Sequence, residues 1–149
     1  MAELKQVLIH TDGACIGNPG PGGWGAILAL GTVERELSGG EEHTTNNRME
    51  MTAIIEGLSA LKERCDVTVV SDSKYVIDNI RGVNTWKARG WRTSANKPVK
   101  NQDLWEKLDA LCGDQQVTFQ WVRGHNGHPG NERADVLAGL AAQEFVNGR

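Results

Sequence analysis

Four acidic residues stand where solubility does not call for them. Asp12 closes the apolar run Val7–Thr11, and Asp72 follows the apolar run Val67–Val70. Glu50 falls at the edge of a stripe made by Met51, Ile54, Leu58 and Leu61, not on the opposite solvent side. Asp135 flanks the Ala134, Leu137, Ala138 and Ala141 stripe in the same way. Two strand ends and two core-edge helix positions can meet at the rim of one sheet. Carboxylates brought within ~4–6 Å raise one another's pKa and oppose folding unless cations neutralise them. A donor set of oxygens alone selects hard ions such as Mg²⁺, or Mn²⁺, over Zn²⁺. Two such ions ~3.5–4 Å apart clamp the attacking and leaving oxygens of a phosphodiester, which is nuclease chemistry. Taken singly, each acid reads more readily as a helix cap or a surface charge; it is the four together that give the metal-site reading its weight.

The elements that must carry these acids follow from periodicity. Val7–Asp12 reads as a strand, and Gly17–Gly25, with five glycines and two prolines in nine residues, as a loop. Residues 25–30 and 32–38 read as a hairpin split at Gly31. Thr44, Thr45, Asn46 and Asn47 offer N-cap side chains to a helix whose Met51, Ile54, Ile55, Leu58 and Leu61 share one face. Then come a strand over 66–71, a short helix over 73–80, a broken helix and loop in the basic stretch, and a helix over 103–112. A strand at 117–122, a Gly/His/Pro loop at 123–130 and a helix at 131–146 complete the chain. Three strands in a row followed by alternating helices and strands imply an α/β fold with a mixed sheet flanked by helices.

Composition narrows the class. The 149 residues are 39% hydrophobic and 23% charged, enough apolar mass for one core, and exclude a disordered chain. The length matches a single domain over 1–149. No apolar run approaches the ~20 residues of a membrane span, and the N-terminus lacks a signal-peptide pattern. Cys15, Cys65 and Cys112 are odd in number and widely spaced, so they read as reduced thiols of a cytoplasmic protein. A net charge of −3 argues against a nucleic-acid binder at face value. Its distribution argues the other way. Arg81, Lys87, Arg89, Arg92, Lys97 and Lys100 fall in one stretch without a single acid, mounted on an otherwise acidic body. Trp86 and Trp91 are interleaved there; Trp91 reads as that segment's own packing, Trp86 as packing or as a surface against a sugar. The glycine-rich stretch lacks the Gly-Lys-Ser/Thr of a nucleotide P-loop, so its glycines are expected to give a tight turn and close approach to a nucleic-acid backbone.

Five blocks resemble the signature of bacterial type 1 ribonuclease H in order and spacing: Thr11–Cys15, Gly17–Gly25, Thr44–Glu50, Ser71–Tyr75 and Gly124–Asp135. Between them, Trp86–Arg92 and Pro98–Trp105 are similar to its basic protrusion, here about 81–101, and the helix after it. The resemblance covers essentially the whole chain. It implies a ribonuclease H-like mixed five-stranded sheet, its first three strands antiparallel, with helices on both faces. It also implies hydrolysis of the RNA strand of an RNA–DNA hybrid, leaving 5′-phosphate and 3′-hydroxyl ends. Asp12, Glu50, Asp72 and Asp135 would hold two Mg²⁺ ions, with Mn²⁺ as a substitute, and His125 would assist proton transfer or product departure. His125 suits that work because an imidazole titrates near neutrality; as a residue type alone it is an ordinary loop histidine. Gly13, Cys15, Asn18, Asn46 and Asn47 match hybrid-contact positions, and Thr45 and Asn101 a phosphate pocket on the DNA side. Asn46 also reads as a helix cap and Asn18 as a turn residue. Lys87, Arg89, Arg92 and Lys100 would meet DNA phosphates, with Trp86 beside them. His10, His43 and His128 match no catalytic role.

Three features depart from the family pattern. Arg81–Thr85 fills a stretch where bacterial members often carry a further Trp, which implies weaker hybrid affinity. His43 stands where an Arg often precedes the Thr-Thr-Asn-Asn block, implying a weaker or a pH-sensitive phosphate pocket. No tail follows Arg149, as it does in some members, implying some loss of stability. Two other readings compete: a resolvase or integrase-like strand transferase on the same fold, and a binding module on a degenerate nuclease scaffold. The paired asparagines and the basic arm favour the hybrid over the first, and the four retained acids oppose the second. A monomer is expected, since nothing in the chain calls for a partner.

Overall fold

The computed structural model describes residues 3–124 and 128–147. Three strands come first: β1 (Lys5–Cys15), β2 (Gly20–Leu30) and β3 (Val33–Thr44). They pair antiparallel, β1 with β2 and β2 with β3, and the β2–β3 turn passes through Gly31 at φ 62°. Then follow α1 (Asn46–Ser59), β4 (Cys65–Ser71), α2 (Lys74–Ile80), α3 (Val83–Ala88), α4 (Gln102–Asp114), β5 (Gln116–Trp121) and α5 (Pro129–Asn147). The sheet order is β3-β2-β1-β4-β5, with β1, β4 and β5 parallel. The mixed sheet agrees with the element order, and its five strands, the first three antiparallel, with what the family resemblance implies. The free thiols at Cys15, Cys65 and Cys112 also agree with expectation. Among the described residues no helix is long and apolar enough to cross a membrane.

Alternation along β1 sorts its side chains between two layers. Val7 and Ile9 are buried with Met51, Ile54 and Leu58 of α1 and with Val67 and Val69 of β4. Trp105 and Leu108 of α4, both fully buried, close this layer from outside. Even-numbered positions of β1 face the other way, toward α5, as the contact of the His10 ring with Gly130 shows.

The glycine-rich stretch departs from its reading as a loop. Gly20, Gly22, Gly23 and Gly25 are strand residues of β2. A Cβ on Gly23 would stand 2.2 Å from the Ala138 carbonyl oxygen, and one on Gly25 2.5 Å from that of Ala134. These glycines let the backbone of α5 lie directly on the sheet, with Ala134, Ala138, Ala141 and Ala142 as the helix's buried face. Turn chemistry and helix-on-strand packing use the same residue, and local sequence does not separate them.

Candidate active site

The parallel pairing of β1 and β4 runs in register up to Thr11 opposite Ser71. The next residue on each chain is an acid, so Asp12 and Asp72 emerge side by side at the carboxyl ends of the two central strands. Open α/β sheets place their sites in the crevice outside the carboxyl ends of parallel strands. Glu50 arrives from the first turns of α1, whose N-cap Thr45 accepts the Arg48 N–H through Oγ1 at 3.3 Å. Its approach depends on Gly13: a Cβ there would stand 2.4 Å from the Glu50 nitrogen. Carboxylate oxygens of Asp12, Glu50 and Asp72 all lie within 4.8 Å of one another.

Several contacts hold the Asp72 turn. Ser71 Oγ accepts the Ser73 N–H at 3.0 Å, Ser73 caps α2, and the Trp121 indole N–H donates to the Asp72 carbonyl at 3.2 Å. A Cβ on Gly124 would meet Asp72 Oδ2 at 2.7 Å, so glycine there leaves room for the carboxylate.

The electrostatics are those of crowded anions. Asp12 is buried and its pKa is raised to about 8, chiefly by loss of water, then by a hydrogen bond with Asp135 and repulsion from Asp72 and Asp135. The Gly13 N–H, 2.9 Å from Asp12 Oδ1, works in the opposite direction. Glu50 is pushed well above the usual carboxyl range, first by burial and next by Asp12 and Asp72. Its Oε2 is buried with no hydrogen-bond partner among the described residues. An orphaned carboxylate oxygen inside an all-oxygen cluster fits a hard divalent cation, which would neutralise the group and lower these pKa values together.

Asp135, on α5, is drawn to the cluster from the opposite layer. It lies against Asp12 and lines a narrow cleft with Asp12, Asp72, Arg123, Asn131 and Glu132. The cleft holds about 10 Å³, ion-sized and far below what a small-molecule substrate needs. The four predicted acids therefore converge, two from strand ends and one from each flanking layer. His125 lies outside the described residues. Sequence reasoning set His128 aside, yet it also lines the cleft. Asn131 was missed altogether, since an Asn at the start of a helix reads as a cap.

Asn46 and Asn47 are exposed. Thr45, not Asn46, is the helix cap, and Asn18 Oδ1 adds to it by accepting the Asn46 N–H at 3.0 Å. Cys15 Sγ is half-buried, donating to the carbonyls of Gly20 and Thr44 at 3.4 Å each. Asn101 sits at φ 60° just before α4. Its side chain donates to the Tyr75 hydroxyl at 3.1 Å and accepts from Arg48 at 3.3 Å, and Arg48 in turn grips Asp103 through both oxygens. His43 is exposed on β3. In the basic stretch Lys87, Arg89, Arg92, Lys97 and Lys100 are all exposed, Lys87 in an ion pair with Asp109 at 2.9 Å. Trp86 packs edge-on against Trp105, ring centroids 5.5 Å apart, and Trp91 packs on the same core. Both tryptophans thus serve the segment's own packing.

A family model described as RNase H matches residues 4–143. The chain is 62% identical over 136 residues to a ribonuclease H of Cupriavidus pinatubonensis, covering 91% of this chain and 94% of that protein. It is 60% identical over 149 residues to a ribonuclease H of Polaromonas naphthalenivorans, covering 98% and 92%. Its fold superimposes on the crystal structure of LC9-RNase H1, a type 1 RNase H with the type 2 active-site motif, with a TM-score of 0.87 at 32% identity. That match covers 97% of this chain and 75% of the other. The sheet edge with its converging acids accordingly belongs to a nuclease, and the chain is a member of the ribonuclease H family.

Proposed function

We propose that this chain is an endonuclease that hydrolyses the RNA strand of RNA–DNA hybrids with two divalent ions, releasing 5′-phosphate and 3′-hydroxyl ends. The observation that carries the reading is the meeting of Asp12, Glu50 and Asp72 within 4.8 Å, with Asp135 against Asp12. These four residues would hold two Mg²⁺ ions, which Mn²⁺ can replace. When bound, such ions activate water and neutralise charge on the leaving oxygen. The protein's own part is to aim the carboxylates from three rigid layers and to keep them poor in water. His125 would carry a proton near the leaving group.

The hybrid is read on two sides. Asn46, Asn47, Asn18, Cys15 and the Gly13 backbone offer donors and acceptors beside the acids, the chemistry that 2′-hydroxyls need. Thr45 and Asn101 would seat a DNA phosphate, with Asn101 held in place by Tyr75 and Arg48. Lys87, Arg89, Arg92 and Lys100 would meet further phosphates, with Trp86 beneath them. The pairing of Lys87 with Asp109 is solvent-exposed and costs little to exchange for a phosphate. This reading takes the chain as one cytoplasmic, monomeric domain over 1–149 with its basic protrusion at about 81–101.

The test is cleavage of an end-labelled hybrid in Mg²⁺, run beside RNA duplex, DNA duplex, single-stranded RNA and a four-way junction. Cuts confined to the RNA of the hybrid are expected, with Asp72→Asn losing at least about a hundredfold while keeping its fold. Cleavage of the junction instead, or turnover retained in Asp72→Asn, defeats the proposal.

A further inference from the structure

His10 carries no role in the reading above, yet its ring is built into the site's supports. Asn131, in the first turn of α5, bridges two strands. Its Nδ2 lies 3.3 Å from the Val70 carbonyl on β4, and its Oδ1 lies 2.6 Å from His10 Nδ1 on β1. His10 and Val70 are register partners, so one amide spans adjacent strands. A carbonyl only accepts, so the amide nitrogen must face Val70 and the amide oxygen must face His10. His10 Nδ1 must therefore carry the hydrogen. The ring also rests on Gly130, where a Cβ would stand 2.3–2.5 Å from three of its atoms. One turn along α5 from Asn131 is Asp135, on the same face of the helix.

We propose that His10 is a positioning residue: through Asn131 and Gly130 it clasps the first turn of α5 to the strand ends and so sets Asp135 against Asp12. This rests on the metal-dependent nuclease reading, because its consequence is a better-formed cation site. Without the clasp the helix start is free to drift from the sheet, and the fourth carboxylate with it. Displacements of well under an ångström matter in such a site, since ligand geometry sets affinity for a hard ion.

Two substitutions separate the hydrogen bond from the ring's bulk. His10→Phe keeps a ring against Gly130 and removes the donor, whereas His10→Asn places an amide N–H near the position of Nδ1. Mg²⁺ alone is titrated into each free protein by calorimetry, and kcat and KM are measured on the hybrid. Ring ¹⁵N shifts and amide exchange over 129–135 are recorded by NMR. The wild-type ring is expected as the Nδ1–H form. His10→Phe should bind Mg²⁺ three- to tenfold more weakly, lose kcat in similar measure at limiting Mg²⁺, hold KM within about twofold and exchange faster over 129–135. His10→Asn should recover at least half of each loss. Unchanged Mg²⁺ affinity in His10→Phe, an Nε2–H ring, or equal loss in both variants overturns the clasp. A wild-type protein that neither binds Mg²⁺ nor cuts the hybrid overturns the nuclease reading instead, while exchange and ring shifts still report on the clasp.

Discussion

Asp12 in the cation-free protein keeps its proton to about pH 8, whereas an unfolded aspartate releases it near 3.8. Burial is the main cause, and its neighbours Asp135 and Asp72 add to it. Between those two values the native state binds a proton that the unfolded state does not, so stability falls as pH rises from about 4 to about 8. Asp12→Asn imitates the protonated form at every pH. In EDTA it should melt above wild type by a margin that is small near pH 4.5 and widest near pH 8. There the gap between 3.8 and about 8 corresponds to several kcal/mol, or roughly 10 °C or more for a chain of this size. Mg²⁺ should raise the melting point of wild type and leave the variant nearly unmoved. A margin that stays flat with pH would refute the crowding argument. All four acids are legible in the sequence because each interrupts an apolar pattern that alone would exclude it. Asn131 and His10 are not, because what matters about them is a bond across 121 residues of chain.

The helix that carries Asp135 is seated by glycines rather than by large side chains. A Cβ on Gly23 would press against Ala138 O at 2.2 Å and Ala142 N at 2.5 Å, both backbone atoms with nowhere to rotate. Gly23→Ala should therefore lift α5 from the sheet, costing about 1–3 kcal/mol and lowering kcat more than KM. Gly113, in the last turn of α4, has nothing within 4 Å of its missing Cβ. Gly113→Ala should be neutral or stabilise by about 0.5–1 kcal/mol, with activity intact. Equal effects from both would mean that flexibility, not close approach, explains the glycines of β2. This contrast shows where local reading stopped. Helices α1, α4 and α5 and the strands β1, β4 and β5 follow from periodicity, since one buried face suffices to mark them. The start of β2 does not, because its residues are chosen for what the helix above them lacks room for. The cap at Thr45 was within reach, as it precedes the first patterned residue, but Asn46 offers the same chemistry one position later.

Charge acts on the scale of the whole molecule, and the net value of −3 conceals its arrangement. Asp12, Glu50, Asp72 and Asp135 gather at the sheet edge, while the exposed cations Lys87, Arg89, Arg92, Lys97 and Lys100 lie on α3 and the loop after it. A polyanion then meets attraction from one arm and repulsion from the cleft until cations fill the site. Contacts of the proposed arm with phosphates would release counterions, so KM for the hybrid should rise steeply between 50 and 200 mM salt at fixed Mg²⁺. The slope of log(1/KM) against log salt should flatten by about one for each phosphate contact removed. Arg89→Ala should show that full change. Lys87→Ala should show less, because Lys87 already shares its charge with Asp109. Both should leave kcat at saturating hybrid within about twofold, since neither reaches the carboxylates. Slopes unchanged in Arg89→Ala would remove the arm from the interface, leaving Asn46, Asn47 and the other proposed contacts to supply the binding energy.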